Sequence, residues 1–268
     1  MVINNPHLSK KSVAKHYGIA RSALYVLPRQ PQKDKVLLTE ILKVIQNNPH
    51  YGYRRVALVL EKNKKQIQRV MKKYGLKPKR RRAKFRKKAD EKNPPSGIPN
   101  RLKTLCPIVP NAVWAGDFTY LSFYGKNVYL ATVLDVYTRE IVGAFIGLHH
   151  TSQLVIAALE DAKRKRKKLP QIFHTDQGSE YASQSCRLWL MAEKILPSHS
   201  YKAHPWENGY QESFYGKFKK ELGNIHRFIT LEDLMEGIYR QVYYYNNKRI
   251  HSKLRMPPRQ FYLKCLRQ

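Results

Sequence analysis

Residues 171–221 decide the fold of this chain, and they read QIFHTDQGSEYASQSCRLWLMAEKILPSHSYKAHPWENGYQESFYGKFKKE. Asp176 follows the short apolar run Ile172-Phe173, which is typical of the end of a buried strand. Glu212 lies in a predicted helix that starts near Pro205, because proline is tolerated in the first turn of a helix. The stretch therefore predicts one acidic residue at a strand end and another on the helix that follows.

A third acidic residue, Asp117, lies upstream in the strand-like run VWAGDFTYL. Asp176 follows it after 58 intervening residues, and Glu212 follows Asp176 after 35. Mg²⁺ prefers hard oxygen ligands, and two ions about 3.5–4 Å apart stabilise both the attacking and the leaving oxygen of phosphoryl transfer. A buried carboxylate is costly unless it is paired or bound to a metal. The three acids, in apolar or aromatic surroundings, are therefore candidate metal ligands.

Two other acids in similar surroundings have simpler interpretations. Asp135 has a comparable apolar setting and is expected to close a turn or to pair with Arg139. Glu180 lies four residues beyond Asp176. It is either a spare ligand or a solvated acid at the start of a helix, and the pattern favours the second interpretation.

From residue 108 onward, short β-rich runs alternate with helical patterns. The predicted strands cover residues 113–121, 127–135, 140–148, 172–175 and 195–199, and the predicted helices cover residues 151–168, 183–194, 205–222 and 231–246. Thr230 is the expected N-cap of the last helix, with Asp233 at its third position. This order of elements indicates a mixed α/β fold.

Five segments, taken in chain order, resemble those of one family. They are VWAGDFTYL, YLATVLDVYTREIVG, FHTDQGSEYAS, ENGYQESFYGKFKKEL and YYNNKRIHSKLRMPPRQF. The set resembles the transposases encoded by the second reading frame of IS-three family insertion sequences. The interval of 35 residues resembles the D,D(35)E catalytic domain that these transposases share with retroviral integrases. The resemblance covers nearly the whole chain.

The resemblance implies a ribonuclease-H-like catalytic domain, a mixed sheet with flanking helices in which Asp117 lies beside Asp176. It implies that these two acids and Glu212 are catalytic and hold two Mg²⁺ ions, with Mn²⁺ as a substitute. The implied reaction is cleavage at the ends of an insertion sequence followed by strand transfer, which depends on positioning and electrostatics. Two alternatives stay open: a catalytically idle DNA-binding regulator of transposition, and a metal-dependent nuclease without strand joining.

The resemblance also implies DNA contacts on the helix of Glu212. Asn208 and Lys219 match positions of the family motif and lie on the same helix face as Glu212. Lys219 would contact the terminal DNA, and an ordinary solvent-exposed lysine is the alternative. Arg249 and His251 match the C-terminal signature. The sequence leaves open whether these two bind DNA or form a structural hydrogen-bonding pair.

The composition indicates a polyanionic partner. The 268 residues include 51 Lys and Arg against 19 Asp and Glu, which gives a formal net charge of +32. Such a field favours nucleic acid over other partners. No apolar run reaches about 18 residues, so no membrane span is expected. Three well-separated cysteines favour a reducing compartment, and with the resemblance they predict the bacterial cytoplasm, at the nucleoid.

Four regions are predicted along the chain. Residues 1–32 form a helix-turn-helix-like segment with its turn at Gly18, for which a plain helical hairpin that binds nothing is an equal alternative. Residues 33–76 form a small helical DNA-binding domain, residues 77–107 a basic arm with a Pro-rich linker, and residues 108–268 the catalytic domain. The arm contains four cations that are expected to bind DNA phosphates: Lys79, Arg80, Arg81 and Arg82.

The expected partners follow from the charge and the resemblance. They are double-stranded DNA at the element ends and at the target, and further copies of the chain assembled on that DNA. The product of the upstream reading frame, separate or fused, is a further expected partner.

Overall fold

The structure is a computed structural model, and it describes residues 9–22, 29–79, 97–200 and 208–267. The chain divides into two compact units, Met1–Arg80 and Arg81–Gln268. Within the described ranges, no helix is long and apolar enough to cross a membrane.

The first unit is helical. Its helices are α1 (Lys10–His16), α2 (Arg29–Asn47), α3 (Tyr53–Val59) and α4 (Lys64–Lys73). Gly18 follows α1 with a φ of 62°, a left-handed conformation that suits glycine at the predicted turn. The predicted boundary between residues 32 and 33 lies inside α2.

A buried carboxylate connects two helices of this unit. Asp34 on α2 accepts hydrogen bonds from Arg69 at 2.8 Å and Lys73 at 2.9 Å, both on α4. These bonds hold the pKa of Asp34 well below its usual range. Apolar packing completes the contact, because Ile41 of α2 and Ile67 of α4 are fully buried.

The second unit contains a five-stranded sheet. Its strands are β1 (Val113–Phe123), β2 (Lys126–Asp135), β3 (Ile141–Gly147), β4 (Ile172–Thr175) and β5 (Leu196–His199). They lie in the order β3-β2-β1-β4-β5, with β1 to β3 antiparallel and β4 and β5 joining in parallel. A two-residue turn joins β1 to β2, since Phe123 pairs with Lys126. Both turn residues, Tyr124 and Gly125, have positive φ, as a tight hairpin of this kind requires.

Helices cover both faces of the sheet. They are α5 (Ser152–Arg166), α6 (Ser179–Ala182), α7 (Gln184–Ala192), α8 (Gly209–Leu222), α9 (Leu231–Asn247) and α10 (Pro258–Cys265). Neighbouring strand residues point to opposite faces. Ala115 therefore packs with Phe214 of α8 and Ile238 of α9, while Trp114 packs with Leu159 of α5 on the other face. The sheet thus separates two apolar cores.

The predicted order of strands and helices is confirmed, with two additions. The short helix α6 and the C-terminal helix α10 were not predicted. The start that was predicted near Pro205 lies outside the described residues, and α8 is described from Gly209. The capping box of α9 is as predicted, because the Thr230 hydroxyl accepts from the Asp233 N–H at 3.1 Å.

Asp135 closes a turn, which is the first of its two expected roles, and a cation that was not predicted lies near it. Its carboxylate accepts backbone N–H groups from Tyr137 at 2.9 Å and Asn111 at 2.9 Å. The cation nearest to this carboxylate is Arg166 rather than Arg139, with Nη2 3.9 Å from Oδ2. Arg166 lies on α5, 31 positions after Asp135 in the chain, so local spacing did not indicate it.

Candidate active site

Parallel pairing of β1 and β4 brings two of the predicted acids together. Ala115 on β1 pairs with His174 on β4, so Asp117 and Asp176 follow two residues further along each strand. Because the strands are parallel, Asp117, which lies within β1, comes beside the end of β4, and Asp176 directly follows that end. Alternation puts Asp117 on the face of Ala115, which is the face that α8 covers.

The turn after β4 brings Gly178 against two acidic side chains. The Gly178 N–H donates to Asp176 Oδ1 at 3.0 Å. A Cβ on Gly178 would lie 2.3 Å from Glu180 Oε1 and 3.1 Å from Asp176 Oδ1. The turn therefore holds two acidic side chains against one short piece of backbone.

The third acid lies on α8, which contacts this part of β1. Gln211, which precedes Glu212, donates from Nε2 to the Ala115 carbonyl at 2.6 Å. Tyr215, one turn later, donates its hydroxyl to the Asp117 carbonyl at 2.7 Å. Helix α8 therefore crosses β1 at the segment that contains Asp117, with Glu212 between the two contacts.

The pKa values of Asp117 and Asp176 reflect the negative charge that lies around them. Burial, followed by the charge of Asp176, raises the pKa of Asp117 to about 8, and the charge of Glu212 acts in the same direction. Burial also raises the pKa of Asp176, to which the charge of Glu180 adds, while the Gly178 N–H and His150 oppose the shift. The pKa of each of these two aspartates is thus displaced in the direction that a nearby cation would reverse.

Glu180 differs from its prediction. It does lie in the first turn of α6, but it is buried rather than solvated, with 6% of its surface exposed. His150 Nε2 lies 3.3 Å from its Oε1, and the His150 ring packs 4.0 Å from the ring of Phe118. The fold therefore adds a buried fourth acid and a histidine next to Asp176.

The donor set suits a hard divalent cation, although the carboxylates do not surround a common point. In the part of the chain that the structure describes, no group of three or more His, Cys, Asp or Glu is close enough to hold a metal ion. Asp117, Asp176 and Glu212 nevertheless offer the oxygen ligands that Mg²⁺ prefers. The raised pKa of Asp117 shows the repulsion and desolvation that a cation would offset. The residues present therefore fit this kind of ion by their chemistry.

The two predicted DNA contacts on α8 already contact the protein. Asn208 is buried, and its Nδ2 lies 3.5 Å from the Gly116 carbonyl. Lys219 donates from Nζ to the Tyr120 carbonyl at 3.0 Å, three residues beyond Asp117 on β1. The burial of Asn208 favours a role in holding α8 over direct contact with DNA. Lys219 remains partly exposed next to this part of β1.

The remaining predicted residues lie elsewhere. Arg249 is buried and forms a bidentate contact to Glu221, with Nε 2.8 Å from both carboxylate oxygens. His251 pairs with Met256 through the backbone, and burial followed by nearby cations lowers its pKa to about 3. Lys79 is exposed in the first unit, whereas Arg80, Arg81 and Arg82 lie outside the described residues. Arg249 is thus a structural ion pair rather than a free DNA contact.

Sequence reasoning missed three polar residues between α8 and the sheet. They are Gln211, Tyr215 and Thr132, all buried. The signal that could have found them is a glutamine and a tyrosine four residues apart on the apolar stripe of α8, which also contains Phe214 and Phe218. A polar side chain in such a stripe needs hydrogen-bond partners.

Comparison with known proteins identifies the fold and the class of this chain. Two models described as integrase core domain match residues 109–205 and 193–258. The fold is similar to that in a cryo-EM structure of a simian T-cell lymphotropic virus intasome in complex with the PP2A regulatory subunit B56 gamma. The TM-score is 0.53 at 16% identity, over 83% of this chain and 74% of that one. The catalytic domain is therefore ribonuclease-H-like, and the class is that of DNA transposases and integrases, which are polynucleotidyl transferases.

Curated relatives narrow the class to a family. The transposase for insertion sequence element IS904 of Lactococcus lactis is 33% identical over 85% of this chain and 93% of its own length. Transposase InsF for insertion sequence IS3A of Escherichia coli is 33% identical over 53% of this chain and 50% of its own length. The chain belongs to the insertion-sequence transposases of the IS-three type.

Proposed function

We propose that this chain cleaves DNA at the ends of its insertion sequence and joins the cut strands to a target, with Asp117, Asp176 and Glu212 as the catalytic residues. One observation carries the proposal. Asp117 within β1 and Asp176 just after the parallel strand β4 are brought together by the register of the two strands, and the helix that bears Glu212 hydrogen-bonds to the same segment of β1.

The three carboxylates would act as ligands of two Mg²⁺ ions, with Mn²⁺ as a substitute. When bound, such ions neutralise charge on the attacking and leaving oxygens of an in-line displacement. The protein groups themselves hold and orient. Asp176 is fixed by the Gly178 N–H, Asp117 accepts the Phe118 N–H at 2.8 Å, and Glu212 is held through its neighbours on α8.

The proposed chemistry requires no external energy source. In the first step water displaces one bridging oxygen at the element end and leaves a 3′-hydroxyl. In the second step that hydroxyl forms a new P–O bond in target DNA while the existing P–O bond breaks. Since one phosphodiester replaces another, the protein contributes mainly positioning and electrostatic stabilisation.

Strand transfer with labelled element ends tests the proposal. Asp117→Asn, Asp176→Asn and Glu212→Gln each remove an anionic ligand and preserve shape, so each should lower cleavage and joining at least about a hundredfold while DNA affinity stays within about threefold. Glu236→Gln is the matched control, because Glu236 forms an exposed pair with Arg240. Its activity should equal that of the unaltered chain. Activity retained above a few per cent in any of the three variants would overturn that residue's assignment, and cleavage without joining would indicate a nuclease.

The same proposal includes DNA binding and assembly of several copies on DNA, in the bacterial cytoplasm at the nucleoid. We also propose the product of the upstream reading frame, separate or fused, as a partner in this assembly. The net charge of +32 supports a phosphate-rich partner. We propose that Lys79, Arg80, Arg81 and Arg82 neutralise phosphates, so that replacing all four should reduce the salt slope of binding by up to roughly 3–4. The first unit and Lys219 are proposed as further DNA contacts.

A further inference from the structure

Gln211 is an unusual residue for its surroundings. It is fully buried and lies on the same face of α8 as the apolar residues that pack on the sheet. Its Nε2 donates to two main-chain carbonyls, Ala115 at 2.6 Å on β1 and Thr132 at 3.1 Å on β2. Its Oε1 accepts the Thr132 hydroxyl at 3.1 Å. Each polar atom of this amide is therefore bonded to the sheet.

Tyr215 extends the same connection by one helical turn. Its hydroxyl donates to the Asp117 carbonyl at 2.7 Å and lies 2.8 Å from the Thr132 hydroxyl oxygen. Asp117 and Thr132 are cross-strand neighbours on β1 and β2. Gln211 and Tyr215 of α8 thus both contact the Thr132 hydroxyl, and Tyr215 also contacts the backbone of Asp117.

Attachment of α8 to the sheet does not require these polar groups. Phe214, Phe218 and Leu222 are each buried on the same helix and supply apolar adhesion. Apolar contact is not directional, so it fixes the distance of a helix from a sheet better than its rotation or its register. Buried hydrogen bonds are directional, and an unmade one costs about 1–3 kcal/mol. The polar contacts therefore select one register of α8 against β1.

We infer that Gln211, together with Tyr215 and Thr132, is a positioning residue that sets Glu212 against Asp117. The inference rests on the proposed function, because it concerns the alignment of two proposed metal ligands. Gln211 directly precedes Glu212, and its partner Ala115 lies two residues before Asp117. A shift of α8 by a fraction of a turn would leave the core filled and would separate the carboxylates.

The first experiment compares Gln211→Leu and Tyr215→Phe in the full chain. Each keeps the approximate side-chain volume and removes directional bonds. A misplacement of about 1 Å can cost a hundredfold in rate, so kcat for cleavage should fall about 10- to 100-fold, with KM for element-end DNA within about twofold. Affinity for Mn²⁺ alone, measured by calorimetry, should fall about tenfold. Thermal unfolding reports the loss of stability separately.

Tyr245→Phe is the matched control. Tyr245 is also buried, and its hydroxyl donates to the Arg139 carbonyl at 3.1 Å, at the turn between β2 and β3. This variant should lose similar stability while kcat and Mn²⁺ affinity remain unchanged. Equal kinetic effects of Tyr215→Phe and Tyr245→Phe would overturn the inference, because they would show a general effect of buried hydroxyl loss.

Thr132 supplies a conservative rescue and keeps the test decisive if Gln211→Leu does not fold. Thr132→Ser keeps the hydroxyl and should retain kcat within about threefold, whereas Thr132→Val keeps the shape and should lose about tenfold. Unchanged kcat in Thr132→Val, Tyr215→Phe and any folded Gln211→Leu would overturn the inference. If Asp117→Asn still abolishes cleavage in that case, only the inference fails. If Asp117→Asn is active, the proposed function fails first.

Discussion

Two groups of acids, one buried and one partly buried, lie on neighbouring parts of the same sheet, and they are compensated in different ways. Asp135 and Glu140, at the turn between β2 and β3, lie beside the guanidinium of Arg166, which is 2.8 Å from Glu140 and 3.9 Å from Asp135. Asp117 and Asp176 accept backbone N–H groups. The pKa of Asp117 is raised by burial and by the neighbouring carboxylates.

The difference is that a guanidinium lies beside the first group, whereas in the second group the charge of Asp176 raises the pKa of Asp117. At the turn, burial raises the pKa of both acids, and the positive charge of Arg166 opposes the shift. The Arg166 guanidinium also lies 3.5 Å above the ring of Tyr262, and Arg259 contacts Glu140 at 3.2 Å. That cluster anchors α10 to the sheet. At the other site the charges repel, an arrangement that favours function over stability.

The largest expected effect is a loss of stability when the cluster at the turn is broken. Arg166→Met leaves two buried acids without their main guanidinium, so the free energy of unfolding should fall by about 3–5 kcal/mol. Urea titration followed by circular dichroism measures it. Arg259→Met is the control, since this side chain is 40% exposed, and it should cost about 1 kcal/mol or less. Comparable losses from the two arginines would show that burial does not distinguish them.

At the site of Asp117, removing a charge is expected to raise the free energy of unfolding, whereas Arg166→Met lowers it. Its pKa is raised from 3.8 to about 8, so between these values the folded metal-free protein binds a proton that the unfolded chain has released. The free energy of unfolding therefore falls as pH rises, by up to about 1.4 kcal/mol per pH unit. Asp117→Asn should remove the contribution of Asp117 to this slope and be the more stable protein at pH 7. Unfolding at pH 5, 6 and 7 with a chelator measures it, and parallel slopes in both proteins would contradict the shift.

The smallest expected effect concerns Lys219, the lysine that is hydrogen-bonded to β1 next to this site. If its charge also reaches phosphate, Lys219→Ala should weaken binding of element-end DNA by about 1–2 kcal/mol. Lys220→Ala, about 100° round the helix, should have a smaller effect. Affinity and thermal unfolding are measured together. If the unfolding temperature falls while the affinity for element-end DNA stays unchanged, Lys219 only stabilises β1.

Some expectations depended on long-range contacts that no local pattern contains. Tertiary contacts bury Glu180, which the sequence predicted as solvated: His150 lies at its carboxylate, and Gly178 leaves the space that this side chain fills. The contribution of Gln211 was missed because its partners, Ala115 and Thr132, lie far away in the chain. Arg166, the cation near Asp135, was not predicted for the same reason.

The sequence by itself determined the strands, the longer helices, their order and the family, but not the helices α6 and α10. The β-rich runs of β1 and β2, the Thr230 cap and the spacing of the acids are local properties, and local chemistry predicts them. Only the tertiary structure decided which acids are compensated by arginine and which repel one another. The physical reason is that pKa values, burial and hydrogen-bond satisfaction depend on groups brought together from distant segments, and a carboxylate has no fixed role until those neighbours are in place.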